Sequence, residues 1–215
     1  EICACLVGSE MCIRDRKWIL FTASGEYFTG DFDGFHFTNL SEGRMAYQNE
    51  LPYAGQTYSN LQGRVVLMHW MRTENPGKYY TGMMGIPREL TLVKGEEGYI
   101  LRQSVIREWK EQRVPVREEK EQKQWEEEDV RDAALELQLN IQGALVLSVM
   151  IYGQKITYQR KTGMLCVNGV TCKVKEDLRN LSILADREIL EVAANDDTLL
   201  YFFETDLQAV SYTHL

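Results

Sequence analysis

The chain has 215 residues, of which 44% are hydrophobic and 26% are charged, and its formal net charge at pH 7 is -8. This length and apolar content suffice for one large or two small domains with buried cores. The acidic balance excludes nucleic acid and anionic membrane surfaces as expected partners, because both are bound by clustered Lys and Arg side chains. The sequence contains no run of about 18 apolar residues, so it predicts no membrane-spanning helix.

Two terminal segments, 1–16 and 209–215, are interpreted as foreign to the folded protein. The first, EICACLVGSEMCIRDR, shows neither strand nor helix periodicity, and its last twelve residues resemble translated sequencing-adapter read-through. The closing VSYTHL resembles the same kind of artefact. Arg14, Asp15 and Arg16 are therefore set aside as candidate site residues.

The cysteines predict no metal site and no cofactor. Cys3, Cys5 and Cys12 fall in the segment 1–16, and their spacing is not that of a zinc site. Cys166 and Cys172 lie in a predicted β region and fit either a disulfide or two buried thiols, of which the thiols are favoured. The sequence also lacks a Ser-His-Asp set, a phosphate-binding glycine loop and an HExxH motif.

Residues 17–106 alternate short apolar segments with turns, which predicts an all-β unit such as a propeller or a sandwich. The predicted strands are KWILFTAS, EYFTGDF, FHFTN, RVVLMHWM, MMGIPRELTLV and GYILRQSVI. Asp33-Gly34 marks a hairpin turn, and the apolar run from Arg64 to Met71 predicts a strand buried on both faces.

The second half of the chain is predicted to be a separate β unit. Residues 107–132 are dominated by charge and interrupted by Pro115, which predicts a solvated connector. From 133 to 208 strand alternation returns, as in ALELQLNI, where four apolar residues share one face. This segment predicts an antiparallel β-sandwich.

The histidines are not arranged for catalysis. His36 lies on a predicted exposed face, His69 is inside the predicted buried strand, and His214 belongs to the terminal segment. The informative residues are instead aromatic and amide side chains at two turns. Tyr53 and Gln56 lie in LPYAGQTYSN, and Trp70 ends the strand RVVLMHW. Aromatic faces that cover C–H groups, with amides and carboxylates that bind hydroxyls, are typical of carbohydrate sites, but for these aromatics taken alone core packing is the favoured explanation.

Several motifs occur in the order known from one enzyme family. GEYFTGDFDGFHFT, PYAGQTYSN, GRVVLMHWM, MMGIPRELTL, LRQSVIRE and LSILADREILEVAAND together resemble segments of glycoside hydrolase family 32, the β-fructosidases of the invertase and levanase type. The resemblance implies a five-bladed β-propeller, of which this chain holds the last blades, followed by a β-sandwich. It also implies retaining hydrolysis of β-fructosyl bonds in sucrose or fructans, by a nucleophilic aspartate and an acid/base glutamate.

Neither catalytic carboxylate is expected in this chain, because the family motifs that carry them would precede Lys17. We therefore expect a fragment that is inactive alone. The resemblance implies that Tyr53 and Trp70 line the fructose pocket, that Glu26 is a polar position beside the acid/base, and that Gln56 accompanies Tyr53. Departures are present: His69 stands where the family commonly has Gly, and Glu188 where it has Ser.

Two alternatives stay open from the sequence. A non-catalytic carbohydrate-binding β module would use Tyr53 and Trp70 as a lectin-like platform. A structural β-sandwich would bind a partner through its acidic connector. The sequence does not determine which fructoside is bound, the oligomeric state or the localisation.

Overall fold

The computed structural model describes residues 2–7, 17–119, 134–141, 143–174, 177–186 and 188–205. The chain divides into two compact units, the first formed by 1–111 with 197–199 and the second by 112–196 with 200–215. The boundary between Glu111 and Gln112 falls inside the connector predicted at 107–132. No helix in the described part of the chain is long and apolar enough to cross a bilayer.

The first sheet of unit one is an antiparallel meander. Its strands are β1 (Ile2–Val7), β2 (Lys17–Thr22), β3 (Glu26–Phe32), β4 (Phe37–Thr38) and β5 (Arg44–Met45). They run in the order β1-β2-β3-β4, and β5 pairs with β3. The Asp33-Gly34 turn occurs as predicted, and Asp33 Oδ1 accepts hydrogen bonds from the backbone N–H groups of Phe35 and His36, both at 2.7 Å.

The strand β1 corrects the sequence analysis, which found no strand or helix period in 1–16. All six of its residues pair with β2, from Ile2 opposite Thr22 to Val7 opposite Lys17. ICACLV lacks polar alternation, so its pattern carries no period-two signal, while the free edge of β2 provides the backbone partner. The rest of that segment, like 209–215, lies outside the described residues, so its assignment as foreign sequence stays a prediction.

The second sheet of unit one is also a meander. Its strands are β6 (Pro52–Thr57), β7 (Val66–Met71), β8 (Met83–Met84), β9 (Arg88–Gly95) and β10 (Gly98–Val105). Their order is β10-β9-β7-β6, with β8 attached to β7. Sequential up-and-down sheets of four main strands are the repeating element of a propeller. Beyond β10, the helix α1 (Arg107–Lys110) is the only regular element described in the connector.

Side chains tie the two sheets of unit one together. The Tyr27 hydroxyl accepts a hydrogen bond from Leu101 N at 3.1 Å, and Gln103 Nε2 donates to Ala46 O at 3.0 Å. Arg44 Nη2 donates to Glu97 O at 2.7 Å. Buried apolar residues fill the interior around these bonds: Ile19, Phe21, Tyr47, Val66, Leu67, Met71, Leu90, Leu92 and Leu101.

Unit two contains two four-stranded antiparallel sheets. Its strands are β11 (Leu135–Asn140), β12 (Val146–Ile151), β13 (Gln154–Gln159), β14 (Met164–Val167), β15 (Val170–Lys173), β16 (Asn180–Ala185), β17 (Ile189–Ala194) and β18 (Leu199–Glu204). One sheet has the order β11-β16-β17-β18 and the other β12-β13-β14-β15. All six residues of β17 are buried, and Tyr158 of β13 accepts a hydrogen bond from Leu178 N at 3.2 Å. This is the sandwich that the sequence predicts.

The two cysteines of the sandwich are free, half-buried thiols. Leu165 of β14 is opposite Cys172 of β15, and Cys166 is opposite Thr171. Since opposite residues share a face, the two cysteines point to opposite faces of the sheet. Of the two arrangements that the sequence allows, the structure therefore has thiols.

Candidate functional site

A β-bulge in β6 brings the predicted aromatic and amide residues onto one face. Tyr53 is opposite Trp70 and Gln56 is opposite Met68, so the two residues between Tyr53 and Gln56 face one residue of β7. Without the bulge, residues three apart would point to opposite faces of the sheet. The extra residue therefore places Tyr53 and Gln56 on the same face as Trp70.

The bulge is held by a hydrogen bond from the neighbouring sheet. Ala54 has a φ of +49°, which is uncommon for a residue with a side chain. Its N–H donates to Ala23 O at 2.8 Å, in the turn that joins β2 to β3. A contact between the sheets thus fixes the backbone next to Tyr53. The sequence predicts a turn in LPYAGQTYSN, and the structure corrects this to a bulged strand.

Tyr53 and Trp70 form an edge-to-face pair whose ring centroids are 6.4 Å apart at an interplanar angle of 71°. The Cζ atom of Arg72 lies over the Tyr53 ring, 4.7 Å from its centre, and the Arg72 guanidinium also donates to Glu50 O. Arg72 therefore covers one face of Tyr53 and orients it through a cation–π contact. Trp70 is 41% exposed, so its indole provides the open part of the surface.

Trp70 is confined on its other side by the return of the chain into β8. Met84 is opposite Trp70 in the β7–β8 pair, and Gly82 immediately precedes β8. A Cβ built on Gly82 would lie 2.1 Å from Trp70 Nε1. Only a residue without a side chain leaves room for the indole there, so Gly82 sets the position of Trp70.

His69 points to the opposite, buried face of β7. Its ring stacks on Tyr47, with centroids 5.1 Å apart at 25°. Burial, and then the positive charge of Arg88, lower the pKa of His69 to about 3. The imidazole is therefore neutral at ordinary pH and is turned away from the Tyr53–Trp70 face. The prediction that His69 lies in a buried strand is confirmed, as is the exposure of His36, whose side chain is 80% exposed.

Glu26, the fourth predicted site residue, starts β3 in the neighbouring sheet. Its backbone N–H donates a hydrogen bond to Thr22 Oγ1 at 3.1 Å, which closes the preceding turn. Its carboxylate lies against Gly43, where a built Cβ would be 2.3 Å from Glu26 Oε1. Glu26 and Tyr53 are connected through the backbone. Glu26 follows the 22–25 turn, and Ala23 O in that turn accepts the hydrogen bond from the N–H of Ala54, the residue after Tyr53.

The remaining acidic candidates near this region have structural roles. Lys17 Nζ donates to Asp31 Oδ1 at 2.7 Å, and Asn39 Nδ2 donates to Asp31 Oδ2 at 2.9 Å. Asp33 caps its own turn, as described above. Asp33 thus acts as the turn residue that the sequence predicts, and Asp31 is paired with Lys17 and Asn39. Within the described residues, no group of three His, Cys, Asp or Glu side chains is arranged to hold a metal ion.

The structure adds three neighbours of the site that the sequence does not predict: Arg72, Gly82 and Met84. Arg72 carries a weak signal, because it follows Trp70 by two residues and so shares its face of an extended strand. Gly82 and Met84 carry none, since their approach to Trp70 depends on the length and path of the loop between β7 and β8.

Comparison with known proteins agrees with this fold. Residues 11–105 match the family model described as "Glycosyl hydrolases family 32 N-terminal domain". A levanase from Bacillus sp. (strain L7) is 28% identical over 123 residues, which are 48% of this chain and 13% of the levanase.

Solved structures align with nearly the whole chain. An exo-inulinase from Aspergillus awamori aligns with a TM-score of 0.71 at 14% identity, covering 95% of this chain and 51% of the inulinase. A β-fructofuranosidase from Schwanniomyces occidentalis, solved with fructosyl-erythritol, aligns with a TM-score of 0.63 at 17% identity, covering 95% and 53%. The chain spans about half the length of these structural relatives.

Part of a β-propeller followed by a β-sandwich, the architecture predicted from the sequence, is thus the fold of this chain. The match over 11–105 and the levanase alignment cover parts of the chain, and both are to glycoside hydrolases. Residues 11–105 of the chain are thus similar to the N-terminal domain of glycoside hydrolase family 32.

Proposed function

We propose that this chain is part of a retaining glycosidase that cleaves β-fructosyl bonds of sucrose or fructans, and that Tyr53 and Trp70 form the wall against which the fructosyl unit binds. The observation that carries the proposal is the exposed indole of Trp70, held edge-to-face against Tyr53 within the residues that match the family 32 domain. The similar proteins support the substrate class: one is a levanase, and another was solved with sucrose bound.

The chemistry of the wall suits a sugar. The C–H groups on one side of a sugar ring pack against an aromatic face, and its hydroxyls require hydrogen-bonding partners. Gln56 shares the face of Trp70 and is exposed, so its amide is available to a hydroxyl. Glu26 is proposed as a second polar contact, contributed by the other sheet of unit one.

Bond cleavage in this proposal needs two further carboxyl groups. A nucleophilic carboxylate attacks the anomeric carbon while a carboxylic acid protonates the departing oxygen. Water then attacks the fructosyl-enzyme ester, its proton passes to the second group, and the nucleophile is released. We propose that both carboxyl groups are supplied by sequence outside this chain, so that the residues described here bind and orient the sugar.

The proposal is tested by calorimetric titration of the chain with sucrose, and with maltose as a disaccharide that lacks a fructosyl unit. Sucrose binding is expected, with a loss of about tenfold or more in Trp70→Ala. Trp109→Ala is the matched control, because Trp109 is 44% exposed and lies in α1 rather than in the strands that form the wall. Equal affinity for the two sugars, or equal losses in the two tryptophan variants, would overturn the proposal.

A further inference from the structure

The loop between β7 and β8, residues 72–82, exposes two tyrosines beside the candidate site. Tyr79 is fully exposed and Tyr80 is 50% exposed. Burying an aromatic ring is favourable, so two adjacent rings that are exposed to solvent indicate a surface that binds a ligand or partner.

The base of this loop is fixed by buried hydrogen bonds. Asn75 Oδ1 contacts Thr73 Oγ1 and accepts from Gly82 N at 3.0 Å. Thr73 O accepts from Gly82 N and from Thr81 Oγ1, both at 2.9 Å. Thr73 and Asn75 are 2% and 5% exposed. Both ends of the loop are thus held together, and a ligand that touches its tip meets a surface already anchored at its base.

The loop starts and ends at the Trp70 wall. Arg72, its first residue, lies over Tyr53, and Gly82, its last, lies against the Trp70 indole. Consecutive Cα atoms are about 3.8 Å apart, so the Cα of Tyr80 is within roughly 7.6 Å of the Cα of Gly82. Tyr80 is therefore within reach of a ligand that extends from Trp70 along the loop.

We propose that Tyr79 and Tyr80 form a second sugar-contacting surface, which takes the fructosyl units that follow the one at Trp70 and so favours longer fructosyl chains over sucrose. This inference rests on the function proposed above. Each tyrosine offers an apolar ring and a hydroxyl to a fructosyl unit, as the Trp70 wall does with its two rings and the Tyr53 hydroxyl. Neither tyrosine side chain carries a charge, which suits a neutral sugar.

The test is the ratio of two dissociation constants measured on the full chain by calorimetry. Fructosylnystose carries four fructosyl units and sucrose carries one, so only fructosylnystose spans both surfaces. Tyr79→Ala/Tyr80→Ala is expected to weaken fructosylnystose binding about tenfold and to leave sucrose binding within about twofold. The double Phe variant, which keeps both rings, is expected to retain most of the preference.

Phe35→Ala is the matched control, because Phe35 is an exposed ring at a hairpin of the other sheet of unit one. Circular dichroism of each variant verifies that the β structure is retained. If the double Ala variant loses affinity for sucrose and fructosylnystose by the same factor, or if neither affinity changes, the proposal of a second surface is wrong. The proposal for the Trp70 wall is not affected by either result. If the unaltered chain binds neither sugar, the proposed function fails and this inference fails with it.

Discussion

Gly82 and Trp70 are packed so closely that a methyl group on Gly82 would overlap the indole nitrogen: the built Cβ lies 2.1 Å from Trp70 Nε1. Since Gly82 also has a φ of +74°, the position combines backbone and side-chain reasons for glycine. The orientation of the open aromatic surface therefore depends on a residue outside the strand that carries it.

Gly82→Ala is predicted to displace the indole and weaken sucrose binding about tenfold, with a stability loss of about 1–2 kcal/mol from the positive φ. Gly77→Ala is the control, because Gly77 has a φ of +76° in the same loop and nothing within 4 Å of its built Cβ. Gly77→Ala is expected to lose a similar free energy of unfolding and to keep the affinity of the unaltered chain for sucrose. Chemical denaturation and calorimetry measure the two effects, and equal affinity losses would contradict the assigned role of Gly82.

Arg72→Ala is predicted to weaken sugar binding about two- to fivefold, because Tyr53 loses the cation that covers one of its faces. Arg72→Lys keeps a positive charge but not the planar guanidinium, so an intermediate loss is expected. Calorimetry with sucrose compares the three proteins. Unchanged affinity in Arg72→Ala would mean that Tyr53 is oriented by Trp70 without help from Arg72.

How far the site follows from the sequence is clearest in β6 and β7. The apolar run from Arg64 to Met71 predicts a strand, and Tyr53 and Trp70 are both identified as site residues from the motifs around them. The bulge between Tyr53 and Gln56 does not follow, because the positive φ of Ala54 is stabilised by a bond to Ala23, about thirty residues earlier. Local patterns do not encode such long-range bonds.

The ion pairs show the same limit. Arg88 and Glu89 are adjacent in β9, so their side chains point to opposite faces of the sheet and find different partners. In β9 the buried Arg88 donates to Gln103 O at 2.9 Å, while Glu89 pairs with Arg64 at 3.0 Å. By contrast, the Asp33-Gly34 hairpin and the alternation of β11 are local features, and both were predicted correctly.

His69 predicts a stability change on mild acidification. Its pKa falls from an ordinary 6.5 to about 3 in the folded chain, so the unfolded chain binds more protons between these values. The free energy of unfolding should therefore fall as pH drops from 6.5 towards 3, with a slope that approaches about 1.4 kcal/mol per pH unit.

Urea denaturation at pH 7, 6, 5 and 4 measures this slope. His69→Asn lacks the titrating group, so its stability is expected to be lower at pH 7 but flatter between pH 6.5 and 5. A slope that is the same in both proteins would show that His69 is not buried as the structure has it.

Glu108 predicts a second change in the free energy of unfolding, at lower pH than that of His69. Hydrogen bonds from Arg64 lower its pKa from 4.5 to about 2, so its contribution is present above pH 4.5 and is lost as pH falls towards 2. Thermal melts should show Glu108→Gln less stable than the unaltered chain at pH 5, with the difference narrowing towards pH 2.5. Because the carboxylate is half exposed, 1 M NaCl should reduce that difference. A difference in thermal stability between Glu108→Gln and the unaltered chain that is independent of both pH and salt would argue against this ion pair.

The most direct test is a saturation-transfer NMR experiment on the 215-residue chain with a fructosyl oligosaccharide, followed for a day in the same tube. If the wall binds sugar and the bond-breaking groups lie elsewhere, saturation appears on the furanose C–H protons and disappears in Trp70→Ala, while no free fructose accumulates. Fructose released in proportion to the protein, or saturation that survives in Trp70→Ala, would contradict this account.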